Sequence, residues 1–140
     1  MYWCADCKEI NLWTYWQGRG NLDAKIMLVG QDWADHDKGY FRELANIIEP
    51  KVILCLGRST FEGVLSAFDI PLPTRIKNFN SFIEGTNNPV SVPLENGGTA
   101  YVFALAHCGA MGTLNRNSKK CADLGKQLED WRRIKPYLDN

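Results

Sequence analysis

Two residues of this 140-residue chain stand where an apolar run hands over abruptly to polar groups: Asp32, after Ile26-Met-Leu-Val-Gly30, and His107, after Tyr101-Val-Phe-Ala-Leu-Ala106. A carboxylate in such a place can orient or deprotonate a water, and an imidazole can donate a hydrogen bond to an atom gaining negative charge. One acid and one imidazole beside glycine-rich loops suit a hydrolysis in which water attacks and an anion leaves. The plainer reading of Gln31-Asp32 is that they end a strand and cap the next turn. Cys4 and Cys7 form Cys-Ala-Asp-Cys, a two-ligand knuckle of the kind that begins zinc and iron–sulfur sites; no second pair of similar spacing follows. His36, between Asp35 and Asp37, reads as a solvated loop residue.

For Asp32 and His107 to meet, the elements carrying them must end on one side. Unbroken apolar runs of four to eight residues read as strands buried on both faces, and three occur: 26–30, Lys51-Val-Ile-Leu-Cys-Leu-Gly57 and 101–107. Between the first two, Tyr40, Phe41, Leu44, Ile47 and Ile48 recur at helical spacing, up to Glu49-Pro50. After the second, Ser59 and Glu62 spell a capping box, and Phe61, Val64, Leu65 and Phe68 give one apolar face. Strand, helix, strand, helix implies right-handed crossovers and a parallel sheet. The expected fold is three-layer α/β/α, with a sheet of about three parallel strands, and residues 1–140 form one domain. Ligands of such sheets sit at the carboxyl ends of the strands.

The rest is less regular. Residues 8–18, with Ile10, Leu12, Trp13, Tyr15 and Trp16, read as an aromatic segment clamped over a core edge; a platform for stacking bases is the other reading. Residues 69–98 read as a long irregular connection with one short hairpin or helix near Phe79–Ile83. Cys108 to Arg116 reads as a small-residue loop. A closing helix from about Ser118 turns Leu124, Leu128, Trp131 and Leu138 to the sheet, and Pro136 ends or kinks it.

Lys and Arg total 16 and so do Asp and Glu, so no global field advertises a nucleic-acid partner, although a local basic strip would serve a weak one. No stretch approaches a membrane span, and no charged-then-apolar leader opens the chain, so a cytoplasmic monomer is expected. Five cysteines, with Cys55, Cys108 and Cys121 in or beside predicted core elements, fit reduced thiols better than a disulfide framework.

Three blocks resemble the uracil-DNA glycosylase superfamily. Val29-Gly-Gln-Asp-Trp33 is similar to its water-activating motif, which commonly reads Gly-Gln-Asp-Pro. Pro50-Lys-Val-Ile-Leu-Cys-Leu-Gly-Arg-Ser-Thr-Phe-Glu62 is similar to its central strand and following helix. Ala106-His-Cys-Gly-Ala-Met-Gly-Thr-Leu-Asn-Arg116 stands where the family carries a His-Pro-Ser-Pro loop and a nearby arginine. The blocks occur in the family's order and cover about half of the chain.

The resemblance implies a DNA-repair hydrolase that excises a damaged base, chiefly uracil, from a nucleotide flipped out of the stack. Asp32 would activate water at the anomeric carbon, and His107 would donate to the base oxygen. Gly30, Gln31, Trp33, Met111 and Asn115 would bind the substrate. Met111 or Leu114 would wedge into the minor groove, and Arg116, Lys119 and Lys120 would contact phosphates. Relatives carry a further strand ending in a base-reading asparagine, where this chain has only Ala34 to Glu49. Some relatives also hold an iron–sulfur cluster, so Cys4 and Cys7 read as a remnant of that site or a zinc knuckle. No cofactor is required for the chemistry itself. The alternative reading is a shortened, catalytically inactive homologue that binds nucleic acid or a protein partner.

Overall fold

Three apolar runs pair side by side in the computed structural model, which describes residues 21–30, 38–72, 76–117 and 125–139. Strands β1 (Ile26–Val29) and β2 (Val52–Leu56) are parallel, with Val29 level with Cys55. Strand β4 (Thr99–Leu105) lies parallel on the other side of β2, with Ala104 level with Cys55. The carboxyl ends of β1, β2 and β4 therefore share one rim. Two strand spacings, roughly 10 Å, separate the first from the last.

The sheet is mixed rather than wholly parallel. A fourth strand, β3 (Val90–Pro93), pairs antiparallel with β4, giving the order β1-β2-β4-β3. This corrects the expected three-stranded sheet. Its sequence, Val-Ser-Val-Pro, is short and only half apolar, because an edge strand need bury one face alone: Val92 is buried and Ser91 exposed. The hairpin to β4 closes through Leu94 N–H to Gly98 O at 2.8 Å, with Gly97 at φ 87° supplying the left-handed turn residue.

Helices lie on both faces. On one, Phe41 and Ala45 of α1 (Lys38–Ile48), Phe61, Val64 and Leu65 of α2 (Arg58–Ala67), and Phe82 and Ile83 of α3 (Phe79–Glu84) pack against Val29, Ile53, Cys55, Val102 and Ala104. Each large side chain so enclosed contributes about 1.5–3 kcal/mol. Of the residues that predict α1, Tyr40 and Ile47 remain exposed. The other face is thinner: Ile134, Tyr137 and Leu138 cover Val52, Leu54, Phe103 and Leu105. Helices α4 (Ala110–Arg116), α5 (Gly125–Arg132) and α6 (Lys135–Leu138) complete the described chain, with Pro136 in the first turn of α6. No described helix is long and apolar enough to cross a membrane.

Three local expectations are corrected. The capping box at Ser59 and Glu62 does not form: Gly57, at φ 96°, is already the N-cap, so the helix begins before Ser59 can cap it. Glu62 instead accepts from Arg58 Nε at 2.9 Å. Residues 110–116 are a helix, not a loop. Leu128 and Trp131 do not face the sheet; they are exposed, because the inward side of α5 carries Asp130.

Asp130 turns inward to meet Arg116. The guanidinium donates from Nε and Nη2 to the two Asp130 oxygens, both at 2.7 Å, and from Nη1 to Glu84 at 2.7 Å. Arg116 and Asp130 are each 4% exposed. One arginine thus ties α3, α4 and α5 together. A second, Arg133, donates to the carbonyls of Ile83, Gly85 and Asn88 and so grips the end of α3. Asn88, buried, exchanges hydrogen bonds with the Ala104 peptide and donates also to Ile83 O, fastening the same turn to β4.

Arg116 holds the Glu84 carboxyl below the usual carboxylate range, first by its hydrogen bond and then by its charge. A lowered folded pKa contributes stability that is present above the ordinary value of about 4.5 and lost as pH falls through the lowered one. Glu84→Gln is therefore expected to remove part of the acid limb of a urea-midpoint-versus-pH curve below about pH 4.5, with little change near neutrality. Half exposure of Glu84 keeps that contribution small.

Candidate active site

The strand β4 ends at Leu105, and the two residues beyond it carry the chain over the rim. Ala106 is buried and His107 exposed. Backbone geometry then fixes the imidazole. The Gly109 N–H donates to His107 Nδ1 at 2.8 Å, which occupies that nitrogen as an acceptor and leaves the neutral ring its proton on Nε2. His107 is thus preset as a donor through Nε2.

Small residues make room for it. A Cβ on Gly109 would stand 2.8 Å from His107 Nδ1, and one on Gly112 would stand 2.9 Å from His107 Cβ and closer still to its carbonyl oxygen. Gly57, across the rim on β2, comes within ordinary contact of the same ring. Glycine at 112 lets the first turn of α4 press directly on the backbone of His107. Gly112→Ala is expected to displace the histidine and to cost about 1–3 kcal/mol of stability, read as a lower urea midpoint together with a shifted His107 ring resonance.

His107 lines a cleft of about 440 Å³ together with Gly57, Arg58, Phe79, Asn80 and Asn115. The lining is neutral apart from Arg58, whose Nε is held by Glu62. Asn80 donates from Nδ2 to the Asn115 carbonyl at 2.9 Å, which orients its carboxamide and leaves Oδ1 without a partner among the described residues. Phe79 adds a flat apolar wall. The arrangement can hold a planar polar molecule and donate a hydrogen bond to it from His107.

The structure brings together only some of the residues singled out by sequence. His107 and Asn115 share the cleft, and Met111 lines an adjoining pocket that also touches His107. Gly30 lines a separate, mostly apolar pocket of about 140 Å³ with Phe41 and Leu44. Asp32, Gln31, Trp33, His36, Lys119, Lys120, Cys4, Cys7 and Cys121 lie outside the described residues, as do the aromatic segment 8–18 and Leu124. Met111 and Leu114 are exposed on α4, 69% and 46%. Arg116 is a correction. Expected at a phosphate, its guanidinium is buried and fully engaged by Asp130 and Glu84, and those bonds, Asp130 first, hold its pKa above the ordinary arginine value.

Sequence reasoning did not single out Asn80, Phe79 or Gly57 for the site. Asn78, whose side chain accepts from Ser81 N–H at 3.1 Å, starts the helix that presents the first two. Of the described cysteines, Cys55 is buried in the core, where desolvation pushes its thiol well above the ordinary range, and Cys108 is exposed rather than in or beside the core; both are free. Among the described residues no group of three His, Cys, Asp or Glu side chains could hold a metal ion.

No protein-family model matches the chain, and no match is found among curated proteins or solved structures. The reading of the site rests on its own geometry.

Proposed function

We propose that the chain is a uracil-DNA glycosylase-like repair hydrolase that cleaves the N-glycosidic bond of a flipped-out base. The observation that carries this reading is His107, whose Nδ1 is taken by a backbone amide, beside a neutral cleft large enough for a nucleoside. Hydrolysis here means attack of water on the sugar's anomeric carbon, with the bonding pair leaving on the base. A donor placed where that negative charge develops contributes a few kcal/mol to lowering the barrier. Nε2–H of His107 is such a donor. Asn80 and Asn115 supply amide groups for the base edge, and Phe79 supplies a face for the ring. Asp32 is assigned the water by its motif alone; the strand ahead of it ends on the same rim as β4.

The test is direct. The full chain is incubated with a uracil-containing single-stranded oligonucleotide, treated with alkali and assayed for strand breaks. Cleavage above background that disappears in Asp32→Asn supports the reading; no cleavage at all overturns it.

Burial of Arg116 favours a second reading, since it removes one cation from the expected phosphate strip of a chain with no net charge. The chain would then bind nucleic acid or a protein partner without catalysis. Retention of the oligonucleotide with no strand breaks is the outcome that reading requires.

A further inference from the structure

Thr60 is fully buried, and its Oγ1 is the one buried side-chain polar atom among the described residues without a hydrogen-bond partner. Such orphaned hydroxyls are rare because their desolvation is uncompensated. Thr60 is the third residue of α2 and lines a pocket of about 230 Å³ with Gly57, Arg58, Ser59, His107 and Met111. The first amides of any helix have no earlier carbonyl to donate to, and no side chain caps those of α2, because its N-cap is Gly57. Those amides make this end of α2 electropositive. The Nε of Arg58 is held by Glu62, but its terminal nitrogens have no partner among the described residues. No carboxylate lines the pocket.

We propose that this pocket binds a terminal phosphate, either inorganic phosphate or a phosphate monoester. The donors come from three sources: the amides of the first turn, the Thr60 hydroxyl and the Arg58 guanidinium. A terminal phosphate has three oxygens free to meet them. A phosphodiester within a strand has only two, and its ester arms must leave the pocket in opposite directions. An anion seated here borders His107, so its arrival is felt at the imidazole. The site does not depend on base excision, and its test contains no uracil.

The experiment is a titration of the full chain with inorganic phosphate, then with thymidine 5′-monophosphate, then with an oligothymidylate lacking terminal phosphates. Binding is followed by the ring resonance of His107, easily assigned because the chain has 2 histidines. Saturable shifts with the first two ligands are expected. Thr60→Val, nearly isosteric, should weaken phosphate binding by about tenfold while melting at or above the wild-type temperature in phosphate-free buffer. Arg58→Gln should weaken it similarly, and Thr60→Ser should retain it. The proposal is overturned if phosphate produces no saturable shift, if Thr60→Val binds like the wild type, or if only the oligothymidylate binds, which would make the site a strand-backbone contact.

Discussion

Arg116→Ala is expected to lower the unfolding free energy by about 3–5 kcal/mol, the largest stability effect available at a single side chain here. The magnitude follows from what is left behind. Asp130 is 4% exposed and accepts both of its charged hydrogen bonds from Arg116. Removing the guanidinium leaves a carboxylate inside the protein with no cation and no water. Glu84, half exposed, can turn to solvent and loses less. Domains of this size are stable by only about 5–15 kcal/mol, so the variant should be partly unfolded at moderate temperature. The double replacement Arg116→Met with Asp130→Leu distinguishes charge burial from packing, since taking both ions away avoids the stranded charge. Urea denaturation of wild type, single and double variants checks this: a single variant within 1 kcal/mol of wild type, an estimate at the level of ordinary surface substitutions, would contradict the network.

His107→Ala is expected to slow base release by roughly 10²–10³-fold, the usual cost of removing one donor from a developing anion. Its fold should be intact, because the side chain is exposed and makes no packing contribution to the core. Single-turnover release of uracil from an oligonucleotide, with enzyme in excess, isolates the chemical step. His107→Gln retains a donor amide and should recover part of the loss, whereas a histidine serving only to shape the rim would be replaced by neither. Equal release by wild type and His107→Ala would remove the imidazole from the chemistry.

The sheet's parallel half was legible in the sequence because inner strands need apolar groups on both faces, and such runs stand out. The position of His107 just past a strand end followed from the same signal. Strand β3 was hidden by its edge position, which lets every second residue be polar; Asn96-Gly97 ahead of Thr99 was the signal that could have revealed its hairpin. Helix α4 looked like a loop because Gly109 and Gly112 are small for the sake of His107, not for flexibility. The fate of Arg116 was out of reach: its partners lie 14 and 32 residues away, and nothing local distinguishes a buried arginine from one bound for a phosphate. Asn80 and Phe79 belong to a six-residue helix within a stretch rich in Pro, Asn and Gly, where periodicity has too few turns to register.

The grip of Arg133 on the carbonyls of Ile83, Gly85 and Asn88 has a mechanical corollary. The short helix that forms a wall of the cleft is braced from behind by the last stretch of the polypeptide, whose own residues never reach the opening. Tension applied at the carboxyl terminus, by a tether or a surface attachment, would travel through that brace and widen the mouth beside Asn80 before any strand of the sheet gave way.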